Sequence, residues 1–145
     1  MTIQETINNV HDSKTRRALD SLMSDFLTDD GQPKTFILNV TMADLSTSES
    51  VWVVSPYAAK IKKIYSVIDA TIATANGAVT VEIDGTAVTD AAITIAYSGS
   101  GAGDVDSSTP SALNTVTAGQ EIEIITSGAP TNTCITTFTL VMERT

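Results

Sequence analysis

One cysteine, one histidine and one tryptophan in 145 residues leave little material for chemistry. Cys134 has no second cysteine to pair with, so an internal disulfide is excluded. A single histidine (His11) and a single cysteine cannot supply the ligands of an ordinary zinc site. No Gly-x-Ser-x-Gly elbow and no phosphate-binding Gly-Lys-Ser/Thr loop occurs. Positive charge is equally scarce, with 8 Lys and Arg against 17 Asp and Glu, a net charge of −9 and a pI near 4.3. Nucleic-acid affinity rests on neutralising phosphates with cations, so no nucleic-acid partner is expected. No run reaches the ~18 apolar residues of a membrane helix, and no membrane partner is expected. The N-terminus lacks the basic and apolar regions of a signal peptide, so synthesis in a cytoplasm is expected. These scarcities predict a non-enzyme with no catalytic residues, no metal and no cofactor.

What is abundant is Thr, Ser, Ala, Ile and Val, a mix that suits pleated strands. Two regions differ in period. In the first, Thr2 and Glu5 have the spacing of a helix capping box, and Ile3, Ile7 and Val10 fall on one helical face. Ala18, Leu19, Leu22, Met23, Phe26 and Leu27 then recur three and four apart, which predicts a helix over residues 13–27. Gly31 and Pro33 stop it. After Pro33 the period becomes two. Phe36, Leu38 and Val40 alternate with Ile37, Asn39 and Thr41. Further strands are expected at 51–54, 60–73, 79–83, 93–95, 121–125 and 134–142. Turn signals at Asn76-Gly77, Asp84-Gly85 and Ala118-Gly119 separate them, and residues 98–112 read as a loop crossing between two sheets. Seven or eight strands at 8–12-residue intervals, with no helix between them, predict a mainly β, jelly-roll-like antiparallel sandwich. The expected organisation is an N-terminal helical arm and linker (1–33) followed by a β-sandwich domain (34–145).

The arm offers the sharpest candidate surface. A helix of about fifteen residues is marginal alone in water, so its stripe (Leu19, Leu22, Met23, Phe26, with Ile3, Ile7 and Val10 before it) must be covered. The cover is its own β body, sister arms or another protein. Lys14, Arg16 and Arg17 hold three of the eight cations and suit an ionic contact with a larger assembly or a solvated helix start. Lys60, Lys62 and Lys63 make a second basic spot, read as a docking patch or as a charged sheet edge that resists aggregation. Asp104 and Asp106 offer hard oxygens to calcium, although their order departs from a calcium-binding loop. Glu121 and Glu123 alternate on one strand face, as a solvated face does. Trp52, Tyr57, Tyr65 and Tyr97 group on no single loop, which weakens a sugar-binding reading. Cys134 lies in an apolar alternating run and reads as a buried thiol.

The segments KIYSVIDATIATANGAVTVEIDGTAVT (63–89), AITIAYSGSGAGDVDSSTP (92–110) and NTVTAGQEIEI (114–124) resemble small β proteins of tailed bacteriophages. The resemblance covers residues 61–144. It implies a head decoration (cement) or head-fibre protein with a jelly-roll-like body. It also implies a place on the capsid surface of the virion, with the major capsid protein or another virion protein as partner. Many acidic copies coexist on a shell without clumping, and a homotrimer multiplies weak contacts through effective concentration. The alternative is a receptor- or carbohydrate-binding module of a phage tail fibre.

Overall fold

The computed structural model describes residues 13–28 and 31–145. Among the described residues, a helix, α1 (Ser13–Phe26), is followed by ten strands: β1 (Thr35–Met42), β2 (Ser50–Val54), β3 (Ala59–Ile68), β4 (Gly77–Ile83), β5 (Thr86–Ala87), β6 (Ile93–Ile95), β7 (Val105–Ser108), β8 (Thr115–Val116), β9 (Glu121–Thr126) and β10 (Thr136–Arg144). Ile3, Ile7, Val10, His11 and the Thr2/Glu5 capping box lie outside the described residues.

All pairings are antiparallel, and they form two sheets. The first has the order β1-β10-β3-β7, with β8 also on β3; the second has the order β2-β9-β4-β5, with β6 also on β4. The first strand therefore pairs with the last, the second with the last but one, the third with β7 and β8, and the fourth with its immediate successors. That nesting is a long antiparallel hairpin rolled into two sheets, the jelly-roll pattern. The chain crosses from the second sheet to the first between β6 and β7, inside the stretch read from sequence as a crossing loop.

Period-two alternation explains the core. In β4 the burial pattern has Gly77, Val79, Val81 and Ile83 inside, with Ala78, Thr80 and Glu82 facing out. In β10 Phe138, Leu140 and Met142 are fully buried. Met42, Leu45, Ile61, Ile64, Ile95, Ile122 and Ile124 meet them from the other strands. Burying apolar surface at about 25 cal/mol per Å² is the main stabilising contribution. Cys134 is buried, and its burial pushes the thiol pKa up.

Strand β3 contains the main irregularity. Its register against β10 shifts between Val141 and Met142, where Lys63 pairs with Val141 and Ile61 with Met142. Lys62 is the extra residue of a β-bulge. Buried positions consequently run Ala59, Ile61 and then Ile64, Ser66, Ile68. β3 also ends at Ile68 and does not continue to residue 73, and Val67 faces out. Asn76-Gly77 is not a free turn: Gly77 opens β4 opposite Ile95. Asp84-Gly85 is the expected two-residue hairpin, both residues having positive φ (51° and 68°) between the paired Ile83 and Thr86. Gly128 is fixed for a second reason besides its positive φ (68°), because an added Cβ would run into the backbone of Thr47 and Ser48.

Candidate assembly surface

The arm joins the sandwich through a short local hinge. The Leu27 amide donates to Met23 O (2.8 Å) and the Lys34 amide to Phe26 O (2.9 Å), while Leu27 and Pro33 form a bridge. Lys34 Nζ donates to Ser24 O. On the body side the Arg144 amide donates to Lys34 O (2.7 Å), so the hinge sits on the end of β10. A groove lined by Thr28, Lys34, Tyr57, Ala118, Arg144 and Thr145 opens there. The Arg144 guanidinium lies 3.5 Å from the centroid of the Tyr57 ring, and Phe36 packs edge-on to the same ring at 5.4 Å. These contacts hold the root of the arm on the sandwich.

Among the described residues, the apolar stripe of α1 is only partly covered. Leu19 and Met23 are half-buried, but Leu22 is 56% and Phe26 70% exposed. Leu22 and Phe26 are four residues apart and stand on one face. The buried hydrophobic core begins at Met42 and contains no helix residue. Lys14, Arg16 and Arg17 are all exposed on the helix.

The second candidate patch is shaped by the bulge. With Lys62 inserted, Lys60 (opposite Glu143) and Lys63 (opposite Val141) both stand on the outer face of the first sheet, and Lys62 pairs there with Glu143 at 3.0 Å. Alternation alone would have sent Lys63 to the other face. The ion pair is solvent-exposed and is worth about 0–1 kcal/mol. Lys63 lies 5.1 Å from the Tyr65 centroid. The reading as a charged sheet edge is corrected, because β3 is an interior strand between β10 and β7.

The structure sets the lysine patch beside the root of the arm, whereas Lys14, Arg16 and Arg17 stand at the far, N-terminal end of α1. Thr35, Glu143, Lys60 and Thr115 lie in one row across the sheet, beside the root of the arm. All eight Lys and Arg residues of the chain lie on α1 (Lys14, Arg16, Arg17), at its root (Lys34) or in the rows of the first sheet next to that root (Lys60, Lys62, Lys63, Arg144). The strands of the second sheet carry Glu82, Glu121 and Glu123 and no cation. Glu82 and Glu123 are direct cross-strand partners, an arrangement of like charges that costs stability. Trp52, opposite Glu123, and Val54, opposite Glu121, stand on the same outer face, each 55% exposed. Local sequence could not reveal this patch, since it needs the order β2-β9-β4.

Asp104 and Asp106 do not converge. Asp104 Oδ2 accepts the Gly101 amide at 2.7 Å, whereas Asp106 sits on β7 opposite Ser66, half-buried. No group of three or more metal-ligating residues comes together among the described residues. Partial burial, then repulsion from Asp104, raises the Asp106 pKa above the ordinary carboxylate value. A carboxyl raised in the folded state favours folding only when protonated. Its cost is present at neutral pH and is relieved as pH falls through the raised value. Asp106→Asn is therefore expected to raise the melting temperature at pH 7, with the gain disappearing below the ordinary aspartate range. Thermal melts at both pH values check this; an equal gain at both, or none at pH 7, contradicts it.

The aromatic residues do not form one platform. Trp52 is on the second sheet and Tyr65 on the first, Tyr57 lies under Arg144, and Tyr97 is in the loop after β6.

No protein-family model matches the sequence, and no curated protein does. Solved structures of similar fold exist. A chain of the acidic stable capsid structure of Helicobacter pylori bacteriophage KHP30 aligns with a TM-score of 0.51 and 13% identity, over 75% of this chain and 86% of that one. A chain of the cyanophage Pam1 capsid aligns at 0.49 and 17%, over 77% and 84%. CsCBM6-3 from Clostridium stercorarium, solved in complex with cellobiose, aligns at 0.45 and 11%, over 78% and 84%. At these identities the likeness is one of fold: this β-sandwich is of a kind that a phage capsid chain also adopts.

Proposed function

We propose that this chain is a structural, non-catalytic virion component that decorates a phage head as a cement or head-fibre protein, bound to the capsid exterior as a trimer. The observation that carries the reading is the exposed apolar stripe of α1, with Leu22 56% and Phe26 70% exposed, on a chain of net charge −9. The cations lie on the arm or beside its root, but acidic residues are spread over arm and body alike, Asp20 and Asp25 standing on α1 itself. The net negative charge keeps neighbouring particles apart. The exposed Leu22 and Phe26 supply apolar area for attachment or trimer formation. The sandwich likeness to a KHP30 capsid chain supports the same reading. The proposed division of labour is an arm and linker (1–33) for assembly and a sandwich (34–145) for display.

The rival reading, a carbohydrate- or receptor-binding module of a tail fibre, rests on exposed Trp52 beside Glu121 and Glu123. Loss of glycan-array binding in Trp52→Ala with an intact fold would favour it.

Cryo-electron microscopy of particles with and without the chain tests the proposal. Density on the head at symmetry-related positions, with the arm end toward the shell, is expected. Density at the tail tip alone would transfer support to the rival, and no density on either would overturn both.

A further inference from the structure

The two long edges of the sandwich lie on one side. β1 ends the first sheet, β2 ends the second, and β1 runs beside β2. Among the described residues no strand pairs with the outer edge of either. The core is only half closed there: Phe36, Leu38 and Val40 of β1 and Val51 and Val53 of β2 point inward and are partly buried. Long regular edges invite another chain, and proteins guard them with a charge, a proline, a bulge or a very short strand. The other edges, β5 to β8, are guarded by length, with two to four residues each. β1 and β2 have none of these guards. They have 8 and 5 residues, hold no charge and no proline, and pair inward in unbroken register. Ile37 stands on the outer face of β1 at 60% exposure, and Trp52 and Val54 on that of β2 at 55% each.

The geometry points to this side as the contact between copies of the chain: three copies around an axis that runs along β1 and β2, with Ile37 of one copy against Trp52 and Val54 of the next. This deepens the trimer part of the decoration reading and rests on it. A second copy is the occupant for three reasons. Chains of net charge −9 repel one another, and they meet at least cost where neither presents an acid. Residues 35–42 and 50–54 present none. Next, each copy has two open long edges, one per sheet. A ring that sets β2 of one copy against β1 of the next uses both and leaves neither open, whereas contact through the two outer faces, which point opposite ways, would build an open stack. Finally, the flanks match in charge. Behind Ile37 across the first sheet come Val141 and Lys63, and behind Trp52 across the second come Glu123 and Glu82. The flanks therefore attract while the centre of the contact is apolar. The arm leaves the sandwich at Lys34, directly before β1. Three arms then start from one place around the axis, and their exposed Leu22 and Phe26 extend the same contact.

The test uses the free full-length protein without capsids, so its failure leaves shell binding untouched. Sedimentation of the wild type is expected to show a trimer. Ile37→Asp and Trp52→Asp are each expected to weaken association at least about tenfold. Both side chains are exposed in the single chain, so below the association concentration both variants are expected to melt as the wild type does. In a second measurement, Ile37→Cys combined with Trp52→Cys is oxidised. The two positions lie on the outer faces of opposite sheets, about 10 Å or more apart, beyond the reach of a disulfide within one chain. Cys134 is buried and does not compete. A covalent trimer on non-reducing gels is expected from the double variant, and no cross-link from either single one. A monomeric wild type, wild-type association by the aspartate variants, a trimer that the double variant fails to cross-link, or dimers from Ile37→Cys alone would each overturn the edge contact.

Discussion

Phe138→Ala is expected to cost about 3–5 kcal/mol, the usual range for emptying a fully buried aromatic site. Phe138 has no exposed surface and stands on β10, the interior strand between β1 and β3. Its cross-strand partners are Val40 and Ser66. Ser66 is small, so the cavity cannot be closed by a neighbour swinging into it on that side. Domains of this size are stable by roughly 5–15 kcal/mol in all, and the melting temperature should fall by about 10 °C. Ile37→Ala, on the exposed face of β1, is the matched control and should change stability by less than about 0.5 kcal/mol. Chemical denaturation of both variants decides the matter. Similar losses in the two would mean that the sandwich interior is not centred on β10.

Phe138 is legible in the sequence, because strict alternation from Thr136 to Met142 leaves it nowhere to go but inward. The same holds for Phe36, Leu38 and Val40, and for the Asp84-Gly85 turn. The sandwich class follows from the spacing of such runs. Three strands are not legible. β5 is two residues that only complete the hairpin after Asp84-Gly85. β7 reads Val-Asp-Ser-Ser, with its one apolar residue, Val105, on the outside and Asp106 and Ser108 turned inward. Hydrophobic alternation therefore points the wrong way, and only pairing with β3 makes the segment a strand. β8 has two residues and is held by Ala59 and Lys60. The bulge is readable in principle: the apolar spacing lengthens from two to three between Ile61 and Ile64, and an inserted residue in a strand produces that slip.

Candidate surfaces divide along the same line. The arm stripe is local, so helical spacing alone picks out its residues. The meeting of arm root and lysine patch depends on β1, β10 and β3 being neighbours, a first-to-last pairing that no local pattern encodes. The Trp52, Glu123 and Glu82 row depends in the same way on β9 lying between β2 and β4. Sequence therefore identifies which residues want a partner, and topology decides which of them share one.

Removing residues 1–31 is expected to leave a folded sandwich that no longer holds its shell. The fold should survive because the buried core starts at Met42, and the backbone hydrogen bonds at the end of α1 stay within its own hinge, up to Lys34. The melting temperature should move little, the cost being about 1 kcal/mol. Attachment should collapse, because the truncation removes the exposed Leu22 and Phe26 together. It also removes the arm's share of the proposed trimer contact. One weak site per copy then replaces three acting jointly, and joint binding commonly multiplies affinity by roughly 10²–10⁴. Co-sedimentation of the truncated chain with undecorated heads should therefore show at least a hundredfold weaker binding. Full-strength binding by the truncated chain would move attachment to the outer face at Lys60, Lys62 and Lys63, where charge reversal of the three lysines would then abolish it. An unfolded truncated chain would mean that the arm belongs to the fold and not to the assembly.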